Sequence, residues 1–242
     1  MTTAEFTIDR VTTAALRIVE GETDFERDHA DAIQSHWEQA SNHNPHLFDG
    51  RVHLCSAATI QRHHLEATCH AVRFATLMYW RKLWSERGHA GGLRNTFGDV
   101  ILRGWDGGIL VGRRAAHTAN AGRICLPGGS FDGSDVRDGQ IDPNGCILRE
   151  CAEETGFEPA DYVLDPELLV YRDPRCVAYG RVAMLPIPAI EARNRAMAFI
   201  ASESEPELED ILVVSSIADT ERLIPDTYEH HLIAHVFQET PS

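Results

Sequence analysis

Apolar residues recur along the chain at two periods, and the switches between them mark out its elements. Ala14 to Val19 alternates as a short strand, whereas Phe25, Ala32, Ile33 and Trp37 recur at helical spacing and predict a helix over Asp24 to Ala40. Asn42 to Gly50, rich in Asn, Pro, Asp and Gly, reads as a turn cluster. Arg51 to Ala58 alternates again, and Ala71 to Trp84, with Phe74, Leu77, Met78, Trp80 and Trp84, reads as a buried helix face. Gly88 to Gly92 is the clearest break, so residues 1–93 and 94–242 are expected to form two units. In the second unit, Thr96 to Arg103 and Ile109 to Arg113 read as strands joined by a Gly/Asp turn, and Arg123 to Leu126 as a third strand. Further strands are expected at Glu167 to Tyr171, Cys176 to Pro186 and Ile211 to Ser215, with a helix over Ala189 to Ser202. Strands and helices that interleave in this way predict an α/β layered sheet.

Composition narrows what such a fold could do. The chain has 242 residues, 43% hydrophobic and 24% charged, enough apolar surface for a folded core. Its longest uncharged apolar run, Val182 to Ile190, contains two prolines and is far short of the roughly 20 residues a membrane-spanning helix needs. Met1 to Asp9 has neither a basic head nor an apolar segment, so no secretory signal is expected and the cytoplasm is the expected location. The six cysteines form no C-x-x-C pair and read as buried thiols. The formal charge of −15 opposes binding to a nucleic-acid backbone. A phosphate-bearing substrate would need a cation to offset the acid.

Chemistry concentrates between Leu126 and Phe157. Asp142 suits an N-cap, Pro143 the first helical position and Gly156 the C-terminal cap, so a helix is expected between them. On it Glu150, Glu153 and Glu154 stand at i, i+3 and i+4, sharing one face. Three carboxylates on one face repel unless a cation sits among them, and Mg²⁺ is commonly held by carboxylates together with substrate phosphates. An acidic face solvated by water and paired with Arg149 is the plainer alternative.

The run Arg149-Glu150-Cys151-Ala152-Glu153-Glu154-Thr155-Gly156-Phe157, preceded by Pro127-Gly128-Gly129, resembles the signature of the Nudix hydrolases, G-x5-E-x7-R-E-U-x-E-E-x-G-U with U apolar. Every fixed position of its second half matches. The resemblance implies the Nudix α/β/α sandwich with a mixed sheet, here preceded by an α+β N-terminal extension. It also implies a Mg²⁺ (or Mn²⁺) cofactor and attack of water on a diphosphate that joins a nucleoside to another group. By the same resemblance Glu150, Glu153 and Glu154 match metal-binding glutamates, with the latter two also in the catalytic set, and Arg149 matches an orienting arginine. A catalytic base outside the signature is expected at Glu205 or Glu207, with Glu207 preferred. The first half departs from the pattern, because Gly128 and Arg149 stand 21 positions apart rather than 14, a seven-residue insertion. The family's first glutamate would fall at Ile141, beside Gln140 and Asp142. Asp132, Asp135 and Asp138 within the insertion read either as a solvated loop or as outer ligands.

Substrate contacts are expected from His117, Asn120 and Arg123 on the approach to the glycine loop, and from Gly128 and Gly129 in it. Arg113 and Arg114 are further positive charges in that stretch. Asn44-Pro45, Leu47-Phe48-Asp49-Gly50, Arg94-Asn95 and His117 to Arg123 are similar to an N-terminally extended subgroup related to UDP-sugar hydrolysing members, which implies release of UMP and a sugar 1-phosphate. A coenzyme A or acyl-CoA diphosphatase is the second reading, loosely echoed at Leu110 to Ala115 but failing at Ala119. A non-catalytic nucleotide-binding module is the third. The expected partner is a small nucleoside diphosphate derivative, with no nucleic acid and no membrane, and a homodimer is expected by resemblance alone. Trp80 and Trp84 read as core or interface, and residues 1–93 as a pocket cover, a dimer surface or an extension of the sheet.

Overall fold

A computed structural model describes residues 6–239; the readings that fall on residues 1–5 and 240–242 lie outside them. The first half runs β1 (Thr7–Val11), β2 (Thr13–Val19), α1 (Asp24–His43), β3 (Arg51–Gln61), β4 (His64–Arg73) and α2 (Phe74–Arg87). The second half runs β5 (Arg94–Gly104), β6 (Ile109–Arg114), β7 (Ile124–Cys125), β8 (Gly128–Ser130), β9 (Val136–Arg137), β10 (Gln140–Ile141), α3 (Pro143–Thr155), β11 (Val163–Leu164), β12 (Leu168–Arg172), β13 (Cys176–Leu185), α4 (Ala189–Ile200), β14 (Leu208–Val214), α5 (Ile217–Leu223) and α6 (Tyr228–Glu239). A mixed sheet with helices on both faces is therefore present, as expected.

The long strand β5 organises it. One edge pairs in parallel with β13 over ten residues, from Asn95 opposite Cys176 to Gly104 opposite Leu185. The other edge is divided among three partners: β3 at Arg94 and Asn95, β8 from Phe97 to Asp99, and β6 at Arg103. Alternate residues of β5 point to opposite faces. Val100 and Leu102 pack with Ile147 and Cys151 of α3 and with Ala192 and Ala196 of α4, while Phe97 and Ile101 pack with Leu232, Ile233 and Val236 of α6.

The first unit does not stand apart from this sheet. β3 joins β5, β1 pairs with β12, and β2 pairs with β10, so the main sheet passes without interruption through both units. A separate core, including Phe25, Ile33, Leu54, Leu77 and Trp80, lies beneath α1 and α2. Trp80 is fully buried there, its indole N–H donating to the carbonyls of Ala90 and Leu93.

Of the boundaries that differ from the sequence pattern, two follow from strand pairing. Residues 71–73 end β4 and do not begin the helix, because they pair antiparallel with Arg51 to His53 of β3. The strand at Ile211 to Ser215 begins earlier, at Leu208, since β6 offers a free edge as far as Arg114. The six cysteines are free and buried. Among the described residues no helix is long and apolar enough to cross a membrane.

Helix α3 ends as its sequence predicts: Asp142 accepts from the Asn144 N–H, and Gly156 takes a left-handed φ of 71° while donating to the Ala152 carbonyl. A Cβ on Gly156 would also lie 2.5 Å from the Phe199 ring. Gly156→Ala should therefore cost about 1–3 kcal/mol, from overpacking and from the left-handed backbone. Chemical denaturation measures this, and an unchanged midpoint would contradict it.

Candidate active site

The site forms where the sheet splits. Because β8 is inserted against β5, Gly128 lies so close to it that a Cβ would meet the Gly98 carbonyl oxygen at 2.3 Å. Gly129 has equally little room, for its Cβ would lie 2.2 Å from Glu150 Oε1. The glycines thus let the acidic face of α3 rest directly on backbone.

That face is not uniform. The Glu154 side chain is 2% exposed and Glu150 12%, whereas Glu153 is 59% exposed. Glu154 accepts from the Gly128 N–H at 2.8 Å and is ion-paired with Arg114. Arg114 also donates to the Gly128 carbonyl at 2.6 Å and to Glu207 at 2.8 Å. Glu207 reaches this point because β14 lies antiparallel to β6, placing Leu208 opposite Arg114 and the Glu207 carbonyl on the Ala115 N–H. One guanidinium therefore gathers three oxygen acceptors from three separate segments.

Arg149 holds the other half of the face. Its guanidinium lies 2.9 Å from both Glu150 and Glu153 and 3.1 Å from the buried Asp135. Asp135 belongs to the insertion, and β3 of the first unit supports that segment: His53 N–H donates to the Phe131 carbonyl, and Val52 bridges Asp132. Within the insertion, then, Asp135 is an anchor for Arg149 and Asp132 caps the short turn that follows it by accepting from the Ser134 N–H.

Burial pushes the Glu150 carboxyl up to about 7; Arg149 pulls it down while Glu207 and Glu153 add to the rise. Burial lifts Glu154 to about 8, in spite of Arg114 and the Gly128 N–H, with Glu150 and Glu207 contributing. Such groups are short of positive charge. Among the described residues no three His, Cys, Asp or Glu side chains are gathered as a ready metal cage. Glu154, Glu207 and the Gly128 carbonyl nevertheless surround a cation, Arg114, and an all-oxygen set of this kind is what Mg²⁺ takes. The residues present fit a divalent ion.

Two hollows flank the glycine loop. One is a cavity of about 510 Å³ bounded by Trp84, Phe97, Arg123, Arg175 and Tyr228. Arg123 there pairs at 2.8 Å with buried Glu229, which leaves Glu229 Oε2 without a partner, as is Asp99 Oδ2 nearby. The other hollow is a groove lined by His46, Leu47, Phe48, His117, Glu150 and Glu207. Asn44 donates to the His117 carbonyl at 2.9 Å, and Asn120 borders both hollows. The residues expected at the site are thus brought together, except that Glu153 turns outward with Arg149. The sequence pattern gave Arg114, Asp99 and Glu229 no role at the site and left Asp135 as either a solvated loop residue or an outer ligand; for Arg114 the one available signal is the alternation along Ile109–Arg114, which puts a charge at the end of a buried strand.

A family model for the NUDIX domain matches residues 93–187. Residues 93–187 are thus a NUDIX domain. With the Arg149 to Phe157 signature intact inside it, the chain is a hydrolase of the pyrophosphatase type. No curated protein matches the chain. Among solved structures it is similar to the Nudix hydrolase RenU from M. smegmatis, at 15% identity and a TM-score of 0.41, covering 62% of this chain and 89% of that one. It is also similar to a C. elegans Ap4A hydrolase, at 15% identity and a TM-score of 0.39, covering 59% and 95%. Shewanella oneidensis NrtR, solved with a 27mer DNA, gives 17% identity and a TM-score of 0.40, covering 59% and 60%. Likenesses this distant say nothing about substrate.

The raised carboxyls of this Nudix site have a consequence for stability. The folded chain keeps protons on Glu150 and Glu154 up to about 7 and 8, while the unfolded chain releases them near 4.5. Between those values the folded state binds more protons, so its stability falls as pH rises through that window. Without divalent ions, Tm should fall from pH 5 to pH 8, and Glu154→Gln should flatten the slope. An equal slope in wild type and variant, read by thermal unfolding at several pH values, would refute this.

Proposed function

We propose that the chain is a divalent-cation-dependent pyrophosphohydrolase that cleaves a nucleoside diphosphate joined to a second moiety, with a UDP-sugar, split to UMP and sugar 1-phosphate, as its preferred substrate. The observation that carries the reading is the convergence of Glu154, Glu207 and the Gly128 carbonyl on one cationic group, beside an open cavity. Glu150 and Glu154, with Glu153 at the margin, would hold Mg²⁺ or Mn²⁺. When bound, the ion would offset phosphate charge and acidify a water.

The chain's own residues do the rest. Arg149, anchored by Asp135, orients Glu150 and Glu153. Glu207, just ahead of β14 and largely exposed, would take a proton from the attacking water. Arg123, His117 and Asn120 contact the substrate around the glycine loop, and Gly128 and Gly129 keep that loop open to a phosphate. The UDP-sugar choice is supported by the way its scattered sequence matches meet: Asn44 bonds His117, and Leu47 and Phe48 line the same groove as Glu150 and Glu207. Unpaired Asp99 and Glu229 oxygens supply acceptors suited to sugar hydroxyls. A cytoplasmic setting and a homodimer belong to this reading through the family resemblance alone.

Hydrolysis of a panel of UDP-glucose, UDP-galactose, GDP-mannose, ADP-ribose, NADH and coenzyme A, with Mg²⁺ or Mn²⁺, tests the substrate. Preference for coenzyme A would replace the UDP-sugar assignment, and nucleotide binding without turnover would point to a binding module. Glu150→Gln and Glu154→Gln should each lower turnover more than tenfold, and Glu153→Gln by less; equal activity in all three variants would remove the metal assignment. The rate should rise between pH 6 and 9, because a water acidified by the ion would ionise over that range. A maximum below pH 6 would contradict that mechanism.

A further inference from the structure

The first unit places one cation at the site whose partner is not part of the fold. Arg81, on α2, borders both the 510 Å³ cavity and the neighbouring groove. The two hollows share only a few walls, among them Arg81, Arg114 and the Gly128 to Ser130 loop, so Arg81 stands at their junction beside that loop. Three other arginines around the site are neutralised within the chain, Arg114 by Glu154 and Glu207, Arg123 by Glu229, and Arg149 by Asp135, Glu150 and Glu153, whereas Arg175 in the cavity wall is not. The Arg81 side chain makes no hydrogen bond or ion pair among the described residues. Its charged neighbours include three more guanidiniums, Arg123, Arg175 and Arg114, which with burial lower it to about 10. In a chain of net charge −15, two guanidiniums without a carboxylate partner, Arg81 and Arg175, thus border one concave surface.

We propose that Arg81 is a substrate-binding residue supplied by the N-terminal unit, whose guanidinium binds the non-bridging oxygens of the substrate's diphosphate where it lies against the Gly128 to Ser130 loop. A guanidinium offers paired N–H donors that match two phosphate oxygens at once, which a lysine does not. The first unit then has a direct role in binding: α2 rests on its own core around Trp80 and Leu77 and presents Arg81 from that base. The inference rests on the reading that a diphosphate occupies this loop.

Inorganic pyrophosphate, titrated calorimetrically into the full chain in EDTA, tests it without requiring turnover. Arg81→Gln should raise the pyrophosphate Kd at least tenfold, about 1.4 kcal/mol. Arg81→Lys should fall between it and wild type, and Lys82→Ala, next on the helix and exposed, should stay within twofold. A wild-type Kd retained within twofold by Arg81→Gln overturns the assignment; should that variant fail to fold by circular dichroism, the same result for Arg81→Lys overturns it. Absence of pyrophosphate binding by the wild type overturns it as well. Arg81-dependent binding in a protein that hydrolyses no diphosphate would retain this site and discard the hydrolase mechanism, so the two failures are distinguishable.

Discussion

Everything at the site depends on how the free edge of β5 is shared. A strand of eleven residues could carry one long partner; this one carries β3, β8 and β6 in succession, and the middle place goes to three residues of a glycine loop. Backbone hydrogen bonding has to be satisfied along that edge, and the loop satisfies it only by lying flat against the strand. Flatness excludes side chains at Gly128 and Gly129, and their absence is what brings backbone amide and carbonyl to the carboxylates of α3. A loop one atom bulkier would separate donor from acceptor.

Charge balance follows from that approach. Glu154 is buried against the loop, and a buried carboxylate needs partners. The Gly128 N–H and Arg114 supply them, and Arg114 in turn reaches Glu207 because β14 pairs with β6 in the register that ends there. The result is a compact arrangement in which two carboxyls remain easier to protonate than usual, held by arginines that a stronger cation could relieve. The proposed binding of an ion and the expected sensitivity to pH have the same origin.

The insertion and the N-terminal unit explain one another. The extra residues after the glycine loop do not hang in solvent: β10 pairs with β2, Phe131 receives the His53 N–H, and Asp135 grips Arg149. The departure from the family's spacing is thus occupied by contacts to a unit that the family pattern does not contain. The same unit brings Asn44, Phe48 and Arg81 to the hollows beside the signature helix, which ties the two departures to one place in the fold.

By itself the sequence determined what depends on local chemistry. The cap residues Asp142 and Gly156 bound α3, the i, i+3, i+4 spacing set three glutamates on one face, and alternation marked most long strands. It also carried the signature that identifies the superfamily. Tertiary structure alone decided which of the three glutamates is buried, because Glu153 and Glu154 differ only in what packs over them. It likewise decided that residues 71–73 belong to a strand, that Arg114 and not Arg113 meets the carboxylates, and that Asp135 is an anchor and not a solvated loop residue. These outcomes rest on pairings between segments far apart in the chain, and a local pattern of polar and apolar residues holds no information about which distant partner will arrive.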